Sequence, residues 1–148
     1  MDIENLLKLL NTHKVRYVVI GAAAFPVHGY SRATLDIDIF FQSTRLNASR
    51  CMKALDKFGY DISDITIKDI LSKKLLLRQY LVEADFHPFV KGISYARVWK
   101  NRVKDKIGVT MVNFASLDDL IIMKKAAGRV KDKEDLKILI ALKKRKTT

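Results

Sequence analysis

The sequence predicts a domain of mixed α/β (α+β) class, in which helices cover a small mixed sheet. Short β-branched runs alternate with amphipathic helical segments along the chain. The 148 residues suit one domain, and neither an internal repeat nor a linker rich in Pro, Gly or Ser divides them. A hydrophobic share of 49% excludes a disordered chain, and the lone Cys51 excludes a disulfide-stapled scaffold.

The predicted elements mix helices with strands. Leucines at helical spacing behind a capping Asp2 predict the first helix, at 2–11. The apolar run at 15–20 predicts a buried strand that ends at Gly21. The remaining predicted elements are a short helix at 22–28 limited by Pro26, a strand at 35–41, a helix at 46–58 closed by Gly59, a short strand and a helix between 60 and 72, strands at 75–86 and 109–114, a helix at 117–127 opened by a capping-box-like pattern of Ser116 and Asp119, and a helix at about 132–142.

Two carboxylates share one face of the predicted strand at 35–41. Side chains alternate along a strand, so Asp36 and Asp38 point to one face while apolar neighbours such as Leu35 and Ile37 point to the other. The like charges repel each other unless a cation lies between them, and a hard divalent ion such as Mg²⁺ or Mn²⁺ fulfils that role. The alternative is an exposed sheet face on which water solvates both acids.

A third acidic ligand is available on the predicted strand at 75–86. Alternation places Glu83, Asp85 and His87 on one face of that strand, opposite Tyr80 and its apolar neighbours. Spacing alone leaves Glu83 and Asp85 as alternatives for the third ligand. His87 can touch the same site, although a single histidine is more often a structural hydrogen-bonding group.

A phosphate-binding side is predicted where Gly21 ends a strand and opens a helix. Such a turn presents backbone amides and the positive end of the helix to a phosphate. Arg32 and Thr34 precede the carboxylate strand and can add a guanidinium and a hydroxyl to the same side. Loop solvation and a turn hydrogen bond are the alternative roles of these two residues.

A lysine interrupts the apolar stripe of the penultimate helix. Lys124 lies at the centre of that stripe, where a lysine must extend to solvent or meet an anion such as a nucleotide phosphate. The alternative partners are Asp132 and Asp135, which share the core-facing side of the last helix. Arg129, between the two helices, can reach a phosphate or complete a helix cap.

The net charge is +12, and two blocks carry all of it. Residues 91–106 hold six bases against one acid, residues 124–148 hold ten bases against three, and the remainder balances. A basic surface attracts phosphate-bearing partners, whether nucleotide or nucleic acid, through a salt-sensitive field. For the basic tail from about residue 143, the favoured interpretation is a frayed, solubilising terminus.

The ordered combination of these residues resembles the nucleotidyltransferase superfamily that includes DNA polymerase beta. It is most similar to the compact prokaryotic branch related to the abortive-infection toxin nucleotidyltransferases. The resemblance covers nearly the whole chain, and the combination is far more specific than any one piece. The segments that carry it are Val19-Ile20-Gly21-Ala22-Ala23-Ala24, the run from His28 to Ile39 with Asp36 and Asp38, Ala84-Asp85-Phe86, Ser116-Leu117-Asp118-Asp119-Leu120, Lys124, Gly128-Arg129-Val130-Lys131-Asp132 and Asp135-Leu136.

This resemblance implies a minimal nucleotidyltransferase fold over 1–148, completed by C-terminal helices. It also implies a set of site residues: Gly21 and the amide of Ala22 bind the nucleotide phosphates with Arg32 and Thr34 nearby, Asp36 and Asp38 hold magnesium, Asp85 is the third acidic residue, and Lys124 and Arg129 face the nucleotide or the acceptor. One position departs from the usual pattern of a second glycine or a serine. Ala22 keeps a small side chain and its amide there but lacks a hydroxyl.

The expected reaction is metal-dependent transfer of a nucleoside monophosphate from an NTP to a hydroxyl of an RNA end or a protein. The alternative is a noncatalytic nucleotidyltransferase-fold binding protein or one component of a toxin–antitoxin pair, which Ala22 favours and the intact carboxylates oppose. A plain RNA-binding domain ranks lower, because the sequence has no RNP-like aromatic motif or GXXG loop. No apolar run approaches the roughly 20 residues that span a bilayer, so we expect a cytoplasmic protein without a membrane partner.

Overall fold

The computed structural model describes residues 2–34, 36–78 and 82–147, so Leu35, Tyr80 and Leu81 of the predicted strands lie outside the described residues. The helices are α1 (Asp2–Thr12), α2 (Arg45–Phe58), α3 (Ile67–Ser72), α4 (Tyr95–Lys100), α5 (Leu117–Ala127) and α6 (Lys133–Thr147). The strands are β1 (Tyr17–Ile20), β2 (Asp36–Phe41), β3 (Leu75–Leu77), β4 (Glu83–His87), β5 (Val103–Ile107) and β6 (Thr110–Phe114).

A mixed sheet of these six strands forms the centre of the fold, in the order β3-β4-β2-β1-β6-β5. β2 runs parallel to β4 and antiparallel to β1, and β1 runs parallel to β6. The outer strands β3 and β5 are each antiparallel to their neighbours. The predicted fold class, a mixed sheet with covering helices, is confirmed.

The hydrophobic core fixes which face of β2 its carboxylates occupy. Ile37, Ile39 and Phe41 are fully buried, whereas Asp36 and Asp38 on the opposite face are only half-buried. Burying one such apolar side chain stabilises the fold by roughly 1.5–3 kcal/mol. A shift of one residue in register would expose all three, so the core holds both carboxylates on the outer face. The other core side chains include Leu6, Leu7, Leu10, Ala48 and Leu55 of α1 and α2.

The prediction of one strand at 75–86 is wrong. The antiparallel strands β3 and β4 take its place, with Leu75 opposite Phe86 and Leu77 opposite Ala84. A mostly apolar run does not by itself distinguish one long strand from two short strands that pair with each other. Ala84 and Phe86 are buried in the core, as the alternation predicts for the second half. Asp85, which lies between them and was expected on the opposite face, is buried as well.

Three further expectations are corrected along the chain. The predicted helix at 22–28 consists of two 3₁₀ turns, Gly21–Ala24 and Pro26–His28, because proline lacks the N–H that would extend a longer helix. The described residues 60–66 contain no strand. Two elements, α4 and β5, are present where the sequence predicts neither.

The last helix is longer than predicted. α6 continues through the basic residues 143–146 to Thr147, so this part of the chain is helical rather than frayed. Lys143 Nζ lies 3.0 Å from Asp118 Oδ1 at the start of α5. None of the helices in the described part of the chain combines the length and apolar composition needed to cross a membrane.

Candidate active site

A cavity of about 710 Å³ opens beside the carboxylate-bearing face of β2. Its walls come from the ends of β1, β2 and β4, from α5, and from the turn that leads into α6. The lining includes all nine of the predicted site residues: Gly21, Ala22, Arg32, Thr34, Asp36, Asp38, Asp85, Lys124 and Arg129. Residues that are far apart in the sequence are therefore brought to one place.

The carboxylates meet because β2 and β4 are parallel neighbours. Register places Asp36 beside Glu83 and Asp38 beside Asp85. Ligand atoms of Asp38, Asp85 and His87 lie within 4.8 Å of one another, which is close enough to share one metal ion. This set differs from the predicted one because it includes His87. Asp36 lies two residues before Asp38 on β2, where it pairs with Glu83.

His87 contacts a carboxylate directly. Its Nε2 lies 2.9 Å from Asp38 Oδ1, within hydrogen-bonding distance. When Nε2 carries the proton, the imidazole donates to Asp38 and orients its carboxylate, as a hydrogen-bonding partner behind a metal ligand does. Spacing alone did not decide whether His87 has a structural role or a role at the site. In the structure it lines the cavity and contacts Asp38.

An arginine missed by sequence reasoning lies among the same acids. Arg78 Nη1 donates to Asp85 Oδ1 at 2.5 Å, and its guanidinium lies 3.7 Å from Asp36 and 3.8 Å from Glu83. The hydrogen bond to Asp85, assisted by the surrounding negative charges, raises the pKa of Arg78. A single basic residue at the end of the run Leu75–Leu77 was the only signal in the sequence.

Gly21 brings the end of β1 against Asp38. Its φ is +68°, in the left-handed region, and a Cβ built there would lie 2.7 Å from Asp38 Oδ2. Ile20 pairs with Asp38 across the sheet, so the chain has no space for a side chain at the next position. The turn that follows is a 3₁₀ turn of four residues. Fewer peptide dipoles are therefore aligned there than in the helix that the sequence predicts.

A second cluster joins the predicted cations to two acids. Lys124 Nζ lies 3.0 Å from Asp132 Oδ1 and 3.4 Å from Asp135 Oδ2. Arg129 forms a two-pronged contact with Asp132 at 2.7 and 3.1 Å, and Arg32 Nη1 lies 3.2 Å from Asp135 Oδ2. The pairing of Lys124 with these two acids, which the sequence offered as the alternative to a phosphate, is therefore present in the structure.

Thr34 forms the turn hydrogen bond that the sequence offered as the alternative to phosphate binding. Its Oγ1 donates to the backbone oxygen of Asp36 at 2.8 Å. This bond lies at the entry of β2 and helps to fix the first carboxylate at the rim of the cavity. The hydroxyl is exposed, so it can also reach a ligand.

Comparison with known proteins adds to this geometry. Residues 1–144 match the family described as "Nucleotidyltransferase of unknown function (DUF6036)". The chain belongs to this nucleotidyltransferase family. No curated protein sequence matches it.

Several solved structures share the fold of this nucleotidyltransferase. The lincosamide antibiotic adenylyltransferase LnuA, determined with lincomycin bound, superposes with a TM-score of 0.65 at 16% identity over 95% of this chain and 96% of that one. TM1012 from Thermotoga maritima, a candidate nucleotidyltransferase, superposes with a TM-score of 0.64 at 15% identity over 94% and 90%. The superfamily resemblance of the sequence is confirmed.

The nucleotidyltransferase also has an apolar wall that the sequence did not predict. Phe89 lies at the cavity with 64% of its surface exposed, and Val90, Met123 and Ala127 line the same region. Such a wall can receive the flat face of a base beside the charged groups. A single phenylalanine shortly after a strand gives no signal in the sequence that it lines a cavity.

Proposed function

We propose that this nucleotidyltransferase moves a nucleoside monophosphate from an NTP to an acceptor hydroxyl in a reaction that needs Mg²⁺ or Mn²⁺. The observation that carries the proposal is the cavity that unites the carboxylates of β2 and β4 with Arg32, Lys124 and Arg129. Carboxylates on one side can hold a cation, and basic groups on the other can hold phosphates. An NTP-consuming reaction also suits the cytoplasm.

The donor atoms fit a hard divalent cation. Oxygen ligands are what Mg²⁺ and Mn²⁺ prefer, and Asp38 and Asp85 supply them within 4.8 Å of each other. We assign Asp36, Asp38 and Asp85 to the metal, with His87 as the group that orients Asp38. A bound divalent cation would neutralise phosphate charge and activate the acceptor oxygen.

The residues of the chain then have separable roles. Gly21 and the amide of Ala22 lie where the α-phosphate can approach the carboxylates, and Arg32, Thr34, Lys124 and Arg129 face the other phosphates. The acceptor oxygen forms a bond to phosphorus while the bond to pyrophosphate breaks. The proton of the acceptor hydroxyl passes to a carboxylate of the cavity, a role that Asp85 can combine with metal binding.

We infer that the acceptor is an RNA end. A hydroxyl of a protein is the alternative acceptor. Lys91 of one basic block and Lys131 of the other line the same cavity as Lys124 and Arg129. Basic residues from both blocks therefore line one cavity. A polyanion would be drawn toward this opening.

One observation favours the noncatalytic alternative, including a component of a toxin–antitoxin pair. Arg78 already places a positive charge against Asp36, Glu83 and Asp85. An arginine that remained there would take the part of the cation and leave a nucleotide-binding protein without turnover. Ala22, which lacks a hydroxyl, agrees with this alternative.

Calorimetric titration with Mg²⁺ and with Mn²⁺ tests the metal assignment. We expect the wild-type chain to bind the ion and the variant Asp36→Asn/Asp38→Asn to lose that binding, because the oxygen charge is removed. The matched control is Asp56→Asn/Asp64→Asn, which removes two exposed acids outside this cavity. Identical heats for the wild type and the Asp36/Asp38 variant would contradict the assignment, and binding that appears only in Arg78→Met would support the noncatalytic alternative.

A transfer assay tests the reaction. The purified chain is incubated with each labelled NTP, Mg²⁺ and either total cell RNA or total cell protein. We expect label on RNA together with release of pyrophosphate, and loss of both with Asp38→Asn. Label on protein alone would redirect the acceptor assignment, and nucleotide binding without any transfer would favour the noncatalytic alternative.

A further inference from the structure

Two nearly buried carboxylates at the cavity have no place in the metal site proposed above. Asp132 and Asp135 are 3% and 4% exposed, and both line the cavity. A buried carboxylate is costly unless it is paired with a cation and hydrogen-bonded. These two must therefore be explained by their partners.

The partners are the three cations assigned to phosphate binding. Asp132 accepts hydrogen bonds from Lys124 and from two nitrogens of Arg129. Asp135 lies 3.2 Å from Arg32 and 3.4 Å from Lys124, and it accepts a hydrogen bond from the Tyr30 hydroxyl at 3.0 Å. Lys124 thus connects the two acids, and the cluster ties the loop before β2 to α5 and α6.

The cluster keeps capacity for an anion. Three cations face two carboxylates, so its formal charge is positive. Arg129 contacts Asp132 through Nε and Nη2, and Arg32 contacts Asp135 through Nη1, while a guanidinium carries five N–H donors in all. The side chains of Arg32 and Arg129 are 42% and 55% exposed, so their remaining donors can reach a ligand.

We propose that Asp132 and Asp135 are positioning residues that hold Arg32, Lys124 and Arg129 as a preformed receptor for the polyphosphate tail of the nucleotide. The inference rests on the proposed function, in which these three cations face phosphates. Long basic side chains lose much rotational freedom when they bind an anion. Carboxylates that restrain them beforehand remove part of that loss, and the bidentate contact fixes the plane of Arg129.

The sign of the effect separates positioning from simple electrostatics. Removing a negative charge beside an anion site raises the affinity for the anion if only the field matters. Removing a group that positions the cations lowers the affinity, although the cavity becomes more positive. Neutral substitution of Asp132 and Asp135 therefore decides between the two.

The test titrates the full chain with inorganic tripolyphosphate by calorimetry, at fixed ionic strength and without divalent cations. We expect Asp132→Asn and Asp135→Asn each to weaken binding about tenfold. The control Asp118→Asn makes the same charge change at an exposed acid that pairs with Lys143, and it should bind as the wild type does. Tyr30→Phe removes one hydrogen bond to Asp135 and no charge, and it should weaken binding about threefold.

Unchanged or tighter binding by folded Asp132→Asn and Asp135→Asn would overturn the proposal, and so would a wild-type chain that does not bind tripolyphosphate. Thermal unfolding of each variant shows whether it is folded. If both asparagine variants unfold, Tyr30→Phe decides, and wild-type affinity in it overturns the proposal. The titration uses neither a metal nor an acceptor, so a failure of the transfer reaction is a separate result.

Discussion

Gly21 links backbone conformation to the position of a carboxylate. In Gly21→Ala, the left-handed φ of +68° costs roughly 1–2 kcal/mol of folding free energy. The new methyl would also lie 2.7 Å from Asp38 Oδ2, so that carboxylate must rotate away. We expect chemical denaturation to show the loss of stability, and calorimetry to show that affinity for Mg²⁺ or Mn²⁺ falls further than in other glycine variants.

Gly29 provides the control for this prediction. Its φ is +98°, and a Cβ there would lie 3.7 Å from Leu142, in ordinary contact and away from the carboxylates. Gly29→Ala should therefore lose comparable stability and keep its metal affinity. Equal metal affinity in both alanine variants would show that Gly21 serves only the turn.

Asp132 should make stability depend on pH in the acid range. Burial raises the pKa of this carboxyl, but hydrogen bonds from Arg129 and Lys124 outweigh that effect and lower the pKa to about 2. The unfolded carboxyl titrates near 3.8. The contribution of this ionised carboxylate to stability is about 2 kcal/mol. It is present above about pH 4 and is lost as the pH falls through about 2. Unfolding free energies of wild type and Asp132→Asn, measured from pH 7 to pH 2, should converge by about that amount, whereas parallel curves would contradict the assignment.

The single residues that were predictable are those whose neighbours follow from strand alternation. Asp36 and Asp38 belong to this group, because periodicity gives the face and the core gives its direction. Alternation also put Glu83 and Asp85 on one face, but it left open which of them joins the site. Arg78 and His87 acquire their partners through the register between β2, β3 and β4, which no local pattern specifies. The choice of Asp85 over Glu83 beside Asp38 depends on the same register.

At the scale of elements, an N-cap begins α5, the helix that carries Lys124. The Ser116 side chain accepts a hydrogen bond from the Asp119 backbone N–H, as an N-cap does. Ser116→Ala should lower the free energy of unfolding by about 1 kcal/mol in urea denaturation. Ser116→Asp, which keeps an oxygen acceptor, should retain most of the wild-type stability. Equal stability of Ser116→Ala and the wild type would show that the cap contributes nothing.

The same helix start illustrates the limit of a capping pattern. The sequence predicts a capping-box-like pair, and the serine half of it is present. The carboxylate of Asp119, however, is fully buried and contacts Arg97 at 2.9 Å and Asn101 at 3.4 Å. A tertiary ion pair thus takes the side chain that the local motif would use.

Elements with a long periodic apolar pattern were predictable, whereas the edge strand β5 and the six-residue helix α4 were not. α5 begins and ends where the apolar stripe and the flanking Ser116 and Gly128 indicate. β5 is an edge strand with mostly exposed residues, including Lys104 and Lys106, so it carries no alternating apolar signal. Charged edge strands of this kind discourage pairing between molecules, which is why their sequences look like loops.

At the scale of the whole molecule, the two basic blocks approach each other around α5. At its N-terminal end Asp118 pairs with Lys143 of α6, and Asp119 pairs with Arg97 of α4. Near its C-terminal end Lys91 and Lys131 line the cavity. Lys91 and Arg97 of the first block and Lys131 and Lys143 of the second therefore lie beside α5 or the cavity that it lines. Because α5 also carries Lys124, these four bases support a shared surface for a polyanion.

Binding to RNA should fall steeply with salt if these blocks recruit the acceptor. The variant Lys100→Gln/Lys104→Gln/Lys106→Gln removes three exposed charges of the first block and leaves Arg102, which stacks over Trp99 at 3.7 Å. Its plot of log affinity against log salt should flatten by roughly 0.7 to 0.9 for each phosphate that the variant no longer neutralises. Lys8→Gln/Lys53→Gln/Lys57→Gln, an equal charge change at exposed lysines of α1 and α2, should keep the wild-type slope. Equal slopes for the two variants, or no RNA binding at low salt, would make the basic blocks a solubilising surface and move the search for the acceptor to proteins and small molecules.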